Sequence, residues 1–115
     1  MEFYDRNGKV VCYVTDNGRV YSWSGKPLGT VHNERIFRLS GQLVGWIKRG
    51  FLMGETGECL LFTAEASTSA GPVLPTRQSR PTKAPKQPFP EIGSRAHVPS
   101  IPTMVQNWGA NPFWP

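Results

Sequence analysis

Apolar and polar positions along the first 66 residues recur as columns. Gly8, Gly25, Gly41 and Gly57 are separated by 17, 16 and 16 residues, and the residues around them line up. Five before each glycine stands an apolar residue: Phe3, Val20, Ile36, Leu52. Four before it stands a large one: Tyr4, Tyr21, Phe37, Met53. Three after it the column reads Val11, Leu28, Val44, Leu60, and six after it Val14, Val31, Ile47, Thr63. No 3.6-residue apolar period survives these glycines, so helices are excluded.

Each unit reads as a β-hairpin. Asn7-Gly8 is a strong hairpin signal, predicting a type I′ turn with positive φ at both central residues. Ser24-Gly25, Ser40-Gly41 and Thr56-Gly57 repeat it in weaker form, with glycine at the strained position. β-Branched and aromatic residues flank the turns, as strands prefer. Second turns at Asp16-Asn17-Gly18, Asn33-Glu34 and Arg49-Gly50 divide the stretch into eight short strands. Val10–Val14 and Leu43–Ile47 are apolar at every position, so both faces of these strands must be covered. The small column Cys12, Gly29, Gly45, broken by Leu61, predicts close backbone approach. The fold expected is all-β: four repeated β-hairpins about a pseudo-fourfold axis, closed so that no sheet edge is left open.

The phrases Y-D-x-N-G-K-V-V-x-Y-V (Tyr4–Val14), V-Y-x-W-x-G-K-P-L-G (Val20–Gly29) and I-F-x-L-S-G-Q-L-V-G-W-I (Ile36–Ile47) carry a family resemblance. Over residues 2–66 the chain resembles the bacterial four-fold beta flower domain. The resemblance implies the fold and a bacterial protein. That family has no assigned activity, so no catalytic residue is carried over. The fourth unit departs from the pattern, with Met53 for the aromatic, Glu58 for the lysine and Leu61 for the glycine.

Composition changes the picture beyond the repeats. Residues 1–67 hold eight basic and seven acidic side chains, a net of +1. Residues 68–115 hold Arg77, Arg80, Lys83, Lys86 and Arg95 against Glu91 alone, and ten of the eleven prolines. The organisation expected is a β domain over 1–67, an extended proline-rich basic linker over 68–103, and an aromatic segment over 104–115. Pro72-x-x-Pro75 and Pro85-x-x-Pro88 favour polyproline II, a form that SH3-like grooves recognise. Trp108, Phe113 and Trp114 are costly to leave in water, so the terminal segment is expected to dock on its own domain or on a partner. A 65-residue β body is marginally stable alone and would gain from either.

Candidate chemistry is sparse. Cys12 and His32 could pair as nucleophile and base only if folding brought them together with a third group. Cys12, His32, Cys59 and His97 lack zinc-ligand spacing, and no phosphate-loop motif is present. No enzyme activity, metal or cofactor is therefore expected. The pI near 9.6 allows nucleic-acid binding through the basic tail as an alternative function. The leading expectation is a noncatalytic protein-interaction or adaptor module with a protein partner or a second copy of itself. Its contact residues would be Trp108, Phe113, Trp114, Trp46 and Tyr13. MEFYDRNGK is unlike a secretory leader, no apolar run reaches the ~20 residues of a membrane span, and two cysteines make no disulfide scaffold. A cytoplasmic location is expected.

Overall fold

The structure, a computed structural model, describes residues 1–67 and 69–113. Eight strands follow one another: β1 Glu2–Tyr4, β2 Val10–Val14, β3 Arg19–Ser22, β4 Pro27–His32, β5 Arg35–Arg38, β6 Leu43–Lys48, β7 Phe51–Met53 and β8 Cys59–Phe62. Each pairs antiparallel with its neighbour, and β1 pairs with β8 to close the barrel. The chain is all-β; among the described residues there is no helix.

A register shift recurs between Phe3/Tyr4, Val20/Tyr21, Ile36/Phe37 and Leu52/Met53. Such a bulge re-aims the strand and separates the packing of the two adjacent large residues. Phe3, Val20, Ile36 and Leu52 join Val11, Cys12, Val44 and Leu61 in one buried core. Tyr4 joins Val10, Phe51, Cys59 and Phe62 in a second cluster, and Phe37 joins Leu43, Trp46 and Met53 in a third. Tail residues Leu74, Val98, Met104 and Trp108 pack on these latter two. The uniformly apolar strands are thus explained: one face looks into the barrel, the other lies under the tail. In the small column, a Cβ on Gly45 would lie 2.1 Å from the Met53 carbonyl oxygen.

The turns differ from expectation in a defined way. The Gly8 N–H donates to the Asp5 carbonyl at 2.9 Å, and only Gly8 of the Asn7-Gly8 pair has positive φ, at 81°. The turn is therefore a four-residue turn ending in a left-handed glycine, not type I′. Asp5 explains this: its carboxylate accepts from the N–H groups of Asn7 and Lys9, holding Asn7 in a right-handed turn. The turns with two positive φ values are Asn33-Glu34 and Arg49-Gly50. The first inter-glycine spacing is 17 rather than 16 because the β2–β3 turn is longer, closed by Gly18 N–H to the Thr15 carbonyl.

Residues 69–113 circle the barrel. Their backbone N–H groups donate to the turn glycines in order: Gln78 to Gly8 at 2.8 Å, Gln87 to Gly25 at 2.9 Å, Ala96 to Gly41 at 2.9 Å and Val105 to Gly57 at 3.0 Å. The donors are nine residues apart, and so are Pro72, Pro81, Pro90 and Pro99. The period has a geometric cause. Nine extended residues reach about 28 Å, about one quarter of the perimeter of a disc whose extents are 37 × 36 Å. Ala84 N–H and Gly93 N–H add bonds to the carbonyls of Trp23 and Leu39, at 3.1 and 2.8 Å. At the equivalent places in the first and last copies stand Pro75 and Pro102, which have no N–H to donate. The segment expected as a linker, 68–103, thus lies against the barrel over its described residues.

Candidate functional site

The tail is held by side chains as well as backbone. Arg77 lies over the Tyr4 ring at 5.6 Å, Lys86 over Tyr21 at 6.0 Å and Arg95 over Phe37 at 5.9 Å, again nine residues apart. Lys83 sits 4.0 Å from the Tyr13 centroid and 5.0 Å from that of Trp23, whose indole N–H donates to the Pro81 carbonyl at 2.7 Å. Arg80 pairs with Glu2. Every basic residue of the tail therefore has a barrel partner. Each exposed cation–ring contact contributes about 0.5–1 kcal/mol. In the fourth unit both members change together: Met53 replaces the ring, and Met104 replaces the cation and packs on the cluster that holds Met53. The departure of that unit from the repeat is a matched pair of thioethers.

The five residues expected to contact a partner do not form one surface. Tyr13 is buried, stacked on Tyr21 at 5.8 Å and edge-on to Trp23 at 5.7 Å, and its hydroxyl has no hydrogen-bond partner among the described residues. Burial, then the neighbouring Tyr21, push its pKa up. Trp46 is only 5% exposed, beside Phe37, Leu43 and Met53 and beneath Val98. Tyr13 corrects the expectation, facing outward from the barrel under Lys83 of the tail; Trp46 also faces outward beneath Val98, but it lines a cleft beside the β6–β7 turn. Trp108 is half-buried, edge-on to Phe51 and Phe62 at 6.3 and 5.9 Å, and its flanking backbone brackets Cys59. Phe113 packs against the inner core. Trp114 lies outside the described residues.

The thiols are packing groups. Cys12 and Cys59 are both fully buried, while His32 is exposed at the end of β4. Burial raises the Cys12 pKa strongly and pushes that of Cys59 from its ordinary 9.0 up to about 11. A raised folded pKa means the neutral thiol is favoured by folding. Its contribution is complete below pH 9 and is lost as pH rises through 11. Melting temperature should therefore fall between pH 9 and 11, with Cys59 accounting for on the order of 2 kcal/mol. Cys59→Ala lowers the starting stability but should make this slope shallower, the remainder belonging to Cys12, whose pKa burial also raises; an unchanged slope would refute the assignment. No group of three or more His, Cys, Asp or Glu stands at metal-binding distance among the described residues.

One cleft open to a ligand, of about 470 Å³, lies between the β4–β5 turn, the β6–β7 turn and the tail at Pro99–Ile101. Its floor is Trp46 and Ile47, and Ile101 on the rim is 48% exposed. Arg35, Lys48 and Arg49 line it against Glu34 as the single acid. Strand register puts Arg35 opposite Trp46. The Arg35 Nε is buried with no hydrogen-bond partner among the described residues. Non-glycine residues with positive φ, Asn33 at 50°, Glu34 at 61° and Arg49 at 53°, are all on this rim. Sequence reading marked these positions only as turns; the signal available was Glu34 where Gly50 stands in the next turn of that kind.

Comparison with known proteins matches this architecture to one family. No curated protein and no solved structure matches the chain. The 4-fold beta flower protein family matches residues 1–114, so the likeness drawn on residues 2–66 extends along the tail. The chain belongs to the 4-fold beta flower family.

Proposed function

We propose that this chain is a noncatalytic protein-interaction module. In this reading the four hairpins are equivalent units about a pseudo-fourfold axis, and the extended tail adds one nine-residue copy to each. The contact surface is the cleft beside Asn33-Glu34 and Arg49-Gly50. One observation carries the reading: Arg35, Lys48 and Arg49 share that cleft with the apolar Trp46 and Ile47, and the tail at Pro99–Ile101 brings no acid to them. Strained rim residues fit a binding role, because such conformations persist where function holds them. Buried, protonated thiols argue against nucleophilic use of Cys12. Tail cations lying over rings argue against a phosphate-binding tail.

A photo-crosslinking residue at Ser100, on the cleft, tests this against the same residue at Gln87, whose backbone is bonded to Gly25. A defined protein captured at Ser100 and not at Gln87, which binds the purified chain saturably, is the expected result. Equal capture at both positions, or none, would defeat the reading.

A further inference from the structure

The same cleft occurs twice, and in one copy a ring of the tail fills part of it. Beside Arg19 a smaller cleft of about 330 Å³ is lined by Asn17, Gly18, Phe89, Pro90 and Glu91. Shifted one unit along the barrel and nine residues along the tail, its counterparts are Asn33, Glu34, Val98, Pro99 and Ser100. In the filled copy the Arg19 guanidinium lies over the Phe89 ring at 4.7 Å, and Glu91 brings a carboxylate to the rim. The first unit solves the same position differently, with Glu2 paired to Arg80. Beside Arg35 the tail offers neither ring nor charge at these two positions: Val98 packs on the Trp46 cluster, and Ser100 is uncharged. The buried, unpartnered Arg35 Nε and the added Lys48 and Arg49 mark what is missing.

We infer that the cleft beside Arg35 binds an extended peptide segment of a partner protein in which an aromatic residue is followed two positions on by a carboxylate. The inference rests on the interaction-module reading and names the chemistry of its partner. The chain supplies the template itself in Phe89-Pro90-Glu91. The ring would lie over the Arg35 guanidinium and against the apolar floor, and the carboxylate would meet Lys48 and Arg49. Charge complementarity selects an acidic partner, since three cations face Glu34 alone. Desolvation by Trp46 and Ile101 favours the ring.

The test titrates the full chain into a fluorescein-labelled Gly-Phe-Pro-Glu-Gly peptide. Saturable binding is expected, weakened by salt as charge pairs are screened. Replacing the peptide's Glu by Gln, its Phe by Ala, or Arg35→Gln in the protein should each weaken binding at least about tenfold. The protein variant Val98→Phe/Ser100→Glu recreates the filled copy and should abolish binding without lowering the melting temperature. Should the new ring prevent folding, Ser100→Glu alone, at an exposed position, should weaken the peptide about fivefold by supplying a competing carboxylate. No saturation with the unmodified chain, or binding undiminished in the filled-cleft variants, overturns the inference. A crosslink at Ser100 that persists without peptide binding overturns this ligand class and leaves the interaction reading standing; loss of both removes that reading as well.

Discussion

A chain cut after Ser67 is expected to lose its cooperative unfolding transition. The eight strands all lie within 1–67, yet the outer faces of those strands are finished by the tail. Tyr4, Tyr21, Phe37, Trp46, Phe51 and Phe62 are each no more than 5% exposed. Their covering includes Arg77, Phe89, Arg95, Val98 and Trp108, all beyond the cut. Full burial of such a side chain stabilises by about 1.5–3 kcal/mol, so losing half of it at six rings removes roughly 5–9 kcal/mol. That is comparable with the entire stability of a typical domain, about 5–15 kcal/mol. The cut chain should therefore bind a hydrophobic dye, self-associate and show no sharp melt by circular dichroism. A truncated monomer that melts cooperatively within about 5 °C of the full chain, a shift worth only about 1 kcal/mol, would reduce the tail to an accessory.

The same division explains what could be read in the sequence. The barrel was legible because glycine turns and apolar columns repeat at a fixed period, and the strands copy that period. The turn at Asn7-Gly8 departs from type I′ because its conformation is chosen by Asp5, two residues before the pair that suggests that type. The tail's order was hidden by its composition. Proline-rich, basic, weakly hydrophobic sequence usually cannot bury enough surface to fold. Here it need not build its own core: backbone N–H groups bond to turn carbonyls, and cations lie on rings that the barrel supplies. Neither interaction leaves a hydrophobic period, but the nine-residue spacing of Pro72, Pro81, Pro90 and Pro99 does leave a mark. Tyr13 reads as a contact residue for the same reason, since the segment that covers it is distant in sequence. The cleft beside Arg35 emerges only when both periods are aligned, because it is a place where the barrel repeats and the tail does not complete the match.

Alanine at Gly41 should loosen the tail as well as strain the turn, and Gly18 provides the comparison. Gly41 has φ 94°, and a Cβ there would lie 1.9 Å from the Ser94 carbonyl oxygen. Left-handed backbone costs a non-glycine residue about 1–2 kcal/mol. The overlap must also displace the tail, breaking the bonds from Ala96 N–H to Gly41 and Gly93 N–H to Leu39. At about 1 kcal/mol for each bond, the total loss is about 3–4 kcal/mol. Gly18 has a similar φ of 79°, but a Cβ there meets only the Val31 carbonyl oxygen, at 3.0 Å. Gly18→Ala should therefore cost about 1–2 kcal/mol and leave the tail in place. Melting measures the first difference; brief proteolysis measures the second, with cleavage in residues 81–100 accelerated in Gly41→Ala alone. Equal melting losses and equal protection in the two variants would mean that these glycines serve the turns only and that the tail does not depend on them.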